Sequence, residues 1–206
     1  MVRRAACDNS FVMATRDSAA IGLRAHSGWA ALVSLAGPVE SAAVISRKRI
    51  ITADAEFPGS KQPYHFVESM SLSEASAIVA RCWKSSFELA VEALASEKAS
   101  LNAKGFNVRV CAVLQGRRRE LPELERILAS HPMLHTAEGI FFRQVLLMAA
   151  PACGMRAVEV AERGIEERVS MDLMKELGRG WGSPWTLDQK YAAGAAWLGL
   201  SSKGES

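Results

Sequence analysis

The order of periodicities along this chain predicts a single α/β domain: a mixed five-stranded sheet, an antiparallel meander joined to parallel strands, flanked by helices. Three observations carry that prediction. Residues 19–53 are rich in Val, Ile, Leu and Ala and are broken by the turn pair Gly37-Pro38. A long amphipathic stretch opens at Ser71-Leu72-Ser73-Glu74, whose Ser and Glu at this spacing form a capping box. The run "FNVRVCAVL" at 106–114 then follows a helix and is almost continuously apolar, as a parallel strand buried on both faces requires.

Taken in order, residues 19–35, "AAIGLRAHSGWAALVSL", read as one strand with a polar waist at Arg24, His26 and Ser27. "VESAAVISRKRIITA" reads as one or two further strands and completes the meander. "EFPGSKQPYHFVE", with His65, reads as loop. The long helix places Ile78, Cys82, Leu89 and Ala93 on one stripe and ends near Lys104-Gly105, where glycine supplies the C-cap. Beyond the strand at 106–114 come Gln115-Gly116 and the basic triplet Arg117, Arg118 and Arg119. A helix from Pro122 aligns Leu124, Ile127 and Leu128, and another runs from about 132 to 150. Gly154 precedes a strand at 155–160, and a helix at 165–177 carries Ile165, Val169 and Leu173 at spacings of four. Thr186-Leu187-Asp188-Gln189 is a second capping box. It opens a last helix whose run Ala192-Ala193-Gly194-Ala195-Ala196 lets it lie close on a neighbour.

The totals restrict function. At 206 residues and 49% hydrophobic content the chain supports one sizeable core, with a domain at 19–200 between tails at 1–18 and 201–206 expected to be disordered. Lys plus Arg number 25 against 22 Asp plus Glu, so no global field drives binding to nucleic acid or membrane, and any such contact must come from a local patch. No apolar run is long enough for a signal peptide or a membrane span. The cysteines, Cys7, Cys82, Cys111 and Cys153, are scattered and form no CxxC pair, which suits a reducing, cytoplasmic setting.

The glycines and aromatic of "IGLRAHSGWAALVSL", the hairpin leading into "VISRKRIIT", the strand "VRVCAVLQG" and the closing "LDQKYAAGAAWLGL" together resemble the ribonuclease H-like superfamily, nearest its RuvC-type Holliday-junction resolvase branch. The resemblance covers most of residues 19–200 and rests on element order. It implies a nuclease fold in which carboxylates on the first strand, at the end of the fourth strand and on the last helix hold divalent metal. Two hard cations close together need several anionic oxygens. Carried over, the first-strand acid falls at Arg24, the fourth-strand acid at about Gln115, and the last-helix pair at Asp188 and Tyr191. Only Asp188 is an acid. An arginine repels a metal, so the resemblance with this departure implies a domain without the two-metal reaction.

Other residues keep further readings open. Asp188, in a first helical turn, is favoured there by the helix dipole with or without chemistry. Arg24 and His26 share a strand face, and with Ser27, Gln115, Arg117, Arg118 and Arg119 they are the candidate contacts for a ligand or nucleic acid. In "SHPMLHTAEG", His131, His135 and Glu138 step by four and three along one helical face. They are candidate ligands for a divalent metal, and with Asp188 candidate catalytic groups; helix capping by His135 or Thr136 is the competing reading. His26 is expected to join His131, His135 and Glu138 in a shared site. Three functions follow: a ribonuclease H-like module that binds nucleic acid without two-metal cleavage, a metal-dependent or acid/base enzyme on a small or phosphorylated substrate, and a partner-binding protein that self-associates through Trp181 and Trp185.

Overall fold

The computed structural model describes residues 17–117 and 119–202; the expected tails, Cys7 and Arg118 fall mostly or wholly outside them. Five strands, β1 (Ser18–His26), β2 (Trp29–Ala36), β3 (Ala43–Ile51), β4 (Asn107–Gln115) and β5 (Arg156–Ala161), form one sheet in the order β3-β2-β1-β4-β5. β1, β2 and β3 pair antiparallel, whereas β4 lies parallel to both β1 and β5. The expected mixed sheet is therefore present, with its meander on one side and its parallel strands on the other. The helices are α1 (Pro63–Phe66), α2 (Leu72–Ala103), α3 (Leu124–Leu128), α4 (His131–Ala152), α5 (Ile165–Arg168), α6 (Met171–Leu177) and α7 (Leu187–Ser201).

The expectation of one strand over 19–35 is corrected. The chain reverses at Ser27-Gly28, His26 pairs with Trp29, and Gly28 adopts a φ of +79° that a side chain would disfavour. The polar waist is thus two strand ends and a tight turn at the margin of the sheet. Polarity there costs little, because the side chains reach solvent.

Helices cover both faces. Along β1 the alternate residues Ala19, Ile21 and Leu23 join a core with α2 and α4, through Leu94, Leu101, Phe142 and Leu146. The other face carries α7, whose run from Ala192 to Ala196 is wholly buried. A Cβ on Gly22 would stand 1.9 Å from the Ala192 carbonyl oxygen and 2.6 Å from the Ala196 nitrogen. Backbone meets backbone there, and the sequence of small residues has the consequence expected of it.

Three further readings change. The buried stripe of α2 is Ala75, Cys82, Ser86, Ala90, Leu94, Glu97 and Leu101, with Ile78, Leu89 and Ala93 only half-buried on its flank. Two polar members, Ser86 and Glu97, disguise it. The helix expected at 165–177 is divided, because Ser170 caps α6 by accepting a hydrogen bond from the Leu173 N–H. His65 lies in the short helix α1 rather than in a loop. Both capping boxes, at Ser71 and at Thr186, are formed.

Glu97 cross-links helix to sheet. Its Oε1 accepts hydrogen bonds from Ser34 (2.6 Å) and Ser46, which face each other across β2 and β3, and Lys48 Nζ lies 2.6 Å from Oε2. Burial pushes the carboxyl up, but the Lys48, Ser34 and Ser46 contacts outweigh it and hold the group below the usual carboxylate range. Cys82 and Cys111 are buried free thiols, pushed up by desolvation to about 11 and about 12, which suits packing rather than nucleophilic chemistry. Among the described residues no helix is long and apolar enough to cross a membrane.

Candidate functional site

The α7 face of β1 places Gly22, Arg24 and His26 in a row, each about 6.6 Å beyond the last. One helical turn rises about 5.4 Å, so the helix that rests Ala192 on Gly22 brings Asp188, a turn earlier, to Arg24. Arg24 Nη1 donates to Asp188 Oδ1 at 2.6 Å, and Nη2 donates to Glu162 Oε1 at 2.5 Å. The guanidinium sits between two carboxylates. His26 Nε2 lies 2.9 Å from the same Asp188 oxygen, and its ring stacks on Trp29 at 4.2 Å. Arg49 covers that tryptophan with its Cζ 4.0 Å from the ring centroid. Arg24 Cζ lies 4.9 Å from the Tyr191 ring, whose hydroxyl donates to Glu166 at 2.6 Å; that bond is the main reason the phenol is pushed above its ordinary value.

Glu162 follows β5 directly, and its N–H donates to the Gln115 carbonyl at 2.8 Å, tying the ends of β5 and β4 together. The Gln115 side chain is at the expected strand end, and among the described residues its buried Nε2 has no hydrogen-bond partner. Ser27 is exposed in the hairpin turn.

From this edge a groove runs along the C-terminal ends of the parallel strands, where α/β sheets commonly hold ligands. A hollow of about 550 Å³ is bounded by Glu162, Arg163 and Tyr191. It shares Gly116 and Arg163 with a larger one, about 680 Å³, walled by Arg117, Arg119, Arg143 and Arg163 together with Gln115 and Glu159. A third, about 300 Å³, continues over Arg117, Arg119 and Arg143 to His135 and Thr136. Two glycines make room for Arg143: a Cβ at Gly116 would meet its guanidinium at 3.1 Å, and one at Gly139 at 3.5 Å. A local, arginine-built patch is thus present despite the near-neutral charge balance.

At the far end stands a histidine cluster. His131 and His135, one turn apart on α4, bring their Nε2 atoms to 3.2 Å, and His65 from α1 completes a group whose ring nitrogens lie within 4.8 Å of one another. Glu138 is not in that group. It is buried behind His65, accepting from the His65 backbone N–H at 3.3 Å and lying 2.9 Å from Nδ1, out of line for a hydrogen bond. Nor does His26 join His131 and His135; it belongs to the Asp188 centre. Pro132 occupies the first turn of α4 without breaking it, so the competing reading in which His135 or Thr136 starts a helix does not hold. Trp181 and Trp185 are half-buried: Trp185 donates to the Met174 carbonyl at 2.8 Å, and Arg47 lies over Trp181.

Sequence reasoning missed Glu162, His65, Arg143 and Arg163. Glu162 and Arg163 follow a strand at its ligand edge, which was a usable signal. His65 had none, since its partners lie on a helix far along the chain.

No protein-family model matches the chain, and no curated protein matches it in sequence. Among solved structures it is similar to Thermus thermophilus RuvC in complex with a Holliday junction substrate, at 9% identity and a TM-score of 0.52, over 87% of this chain and 90% of that one. A second Thermus thermophilus RuvC structure is similar at 12% identity and a TM-score of 0.47, over 87% and 91%. A member of the Ppx/GppA family from Aquifex aeolicus follows at 7% identity and a TM-score of 0.37, over 77% of this chain and 40% of that one. At this identity the likeness is one of fold: the mixed five-stranded sheet flanked by helices is the ribonuclease H-like fold shared with RuvC. Within that fold, the RuvC likeness spans nearly the whole described chain.

Proposed function

We propose that this ribonuclease H-like domain binds nucleic acid through the arginine groove and does not cleave it by two-metal chemistry. The observation that carries the reading is Arg24, whose two terminal nitrogens each hold one carboxylate oxygen, Asp188 Oδ1 and Glu162 Oε1, from the strand position where the resemblance expects a metal-binding acid. A cation in that place is supplied by the protein itself. Two divalent metals do not fit a centre in which one ligand is replaced by a guanidinium and another, at Gln115, by a neutral amide. The similar RuvC structure is a complex with a Holliday junction, and in this chain Arg117, Arg119, Arg143 and Arg163 line a groove at the C-terminal ends of the parallel strands. Guanidinium forks suit phosphate oxygens, and phosphate contacts supply most sequence-independent affinity.

Fluorescence anisotropy with labelled four-way junction, duplex and single-stranded DNA tests this. Binding is expected to weaken steeply with salt, and Arg117→Ala/Arg143→Ala is expected to lower the slope of log K against log salt by about 2 on duplex DNA. Absence of binding at about 50 mM salt, or an unchanged slope in the double variant, would overturn the reading.

A further inference from the structure

We propose that His65, His131 and His135 form a three-histidine site for a divalent transition metal of the zinc class, with Glu138 as the carboxylate behind His65. The site is separate from the Arg24 centre and does not depend on the nucleic-acid reading. Tetrahedral zinc with bonds of about 2.0–2.1 Å to imidazole nitrogen places its ligand atoms about 3.3 Å apart. His131 Nε2 and His135 Nε2 are already 3.2 Å apart, at the i, i+4 spacing that stacks two side chains on one helix face. One ring nitrogen from each of the three histidines lies within 4.8 Å of the others, and the exposed positions of His131 and His135 leave their rings room to adjust to a metal. Two imidazoles facing each other nitrogen to nitrogen repel unless one donates a proton or both bind a common cation. A metal satisfies both at once.

His65 is set up differently from the other two. Its Nδ1 is buried beside Glu138 Oε1 at 2.9 Å, and the same carboxylate oxygen holds its backbone N–H. A small rotation of the ring turns that contact into a hydrogen bond, which keeps the proton on Nδ1 and leaves the Nε2 lone pair for a metal. A carboxylate behind a ligating histidine orients the ring and raises its basicity. Glu138 is 3% exposed, so the pairing is enclosed rather than a surface coincidence. An all-imidazole donor set favours zinc, copper or nickel over magnesium or calcium, which take oxygen ligands. Three protein ligands leave one position for water or for an oxygen of a molecule in the adjoining groove, whose wall includes His135.

The test uses the full chain without a histidine tag, stripped with chelator and titrated with zinc against a chromophoric chelator, and separately with cobalt(II) followed by visible absorption. One zinc per chain and a tetrahedral cobalt spectrum are expected. His131→Ala/His135→Ala should abolish both, and because these residues are exposed the variant should melt as the parent does. His135→Gln provides a second variant with the same expected loss of the cobalt spectrum. Glu138→Gln should keep the spectrum and weaken zinc affinity about 10–100-fold. Failure of the parent chain to bind one equivalent of zinc, or stoichiometric binding that survives in both histidine variants, would overturn the site.

Discussion

Glu97 illustrates how one residue can fasten a helix to a sheet. Its carboxylate is almost inaccessible and is met by Ser34, Ser46 and Lys48 from two strands. Replacing it by glutamine leaves Lys48 without its counter-charge and rearranges the serine bonds, at a cost of about 2–3 kcal/mol at pH 7. The carboxyl is held below its ordinary value in the folded state, so its stabilising contribution is complete above the unfolded-state pKa, about 4.3, and is lost as pH falls through the folded value. Denaturant unfolding of the parent and of Glu97→Gln should therefore show a gap that is full at pH 7 and narrows as pH drops from about 5. A gap independent of pH would mean that shape, not charge, holds the contact. The same residue was illegible in the sequence: a glutamate on a long helix reads as solvent-facing, and only the strand partners, far away in the chain, reveal otherwise.

At the scale of elements, the contact of α7 with β1 positions the Arg24 centre. Gly22 allows the helix backbone to touch the strand, and Asp188 reaches Arg24 only at that depth. Gly22→Ala should lower stability by about 3 kcal/mol, because the clashing atoms are backbone and cannot rotate away. For a chain of this length that is a fall in Tm of about 6–12 °C; a change of less than 2 °C would show that α7 is not seated as described. Much at this scale was legible. The capping boxes at Ser71 and Thr186, the strand after the long helix and the small run in α7 all follow from local chemistry and stand in the structure. What failed did so for local reasons too. The Ser27-Gly28 turn lies between two apolar halves with no proline or loop-length gap, so the hairpin read as one strand. Ser170 looked like an interior helix residue until its cap bond was seen.

For the whole molecule, a nearly even charge count conceals a polarised edge. Carboxylates and Arg24 gather at one end of the groove, arginines line its length and histidines stand at the other. The proposed replacement of acids at Arg24 and Gln115 was readable in the sequence only through the strand positions that the resemblance aligns. Glu162, just past β5, carried a positional signal that went unread, whereas nothing local marked the meeting of His65 with α4. In the proposed function, Arg24 takes the place of a catalytic cation. Incubating the purified chain with four-way DNA junctions and RNA/DNA hybrids in magnesium or manganese, and resolving the products on denaturing gels, tests it most directly. Intact substrates are expected with either metal; robust metal-dependent cleavage that Asp188→Asn abolishes would rule out this role for Arg24.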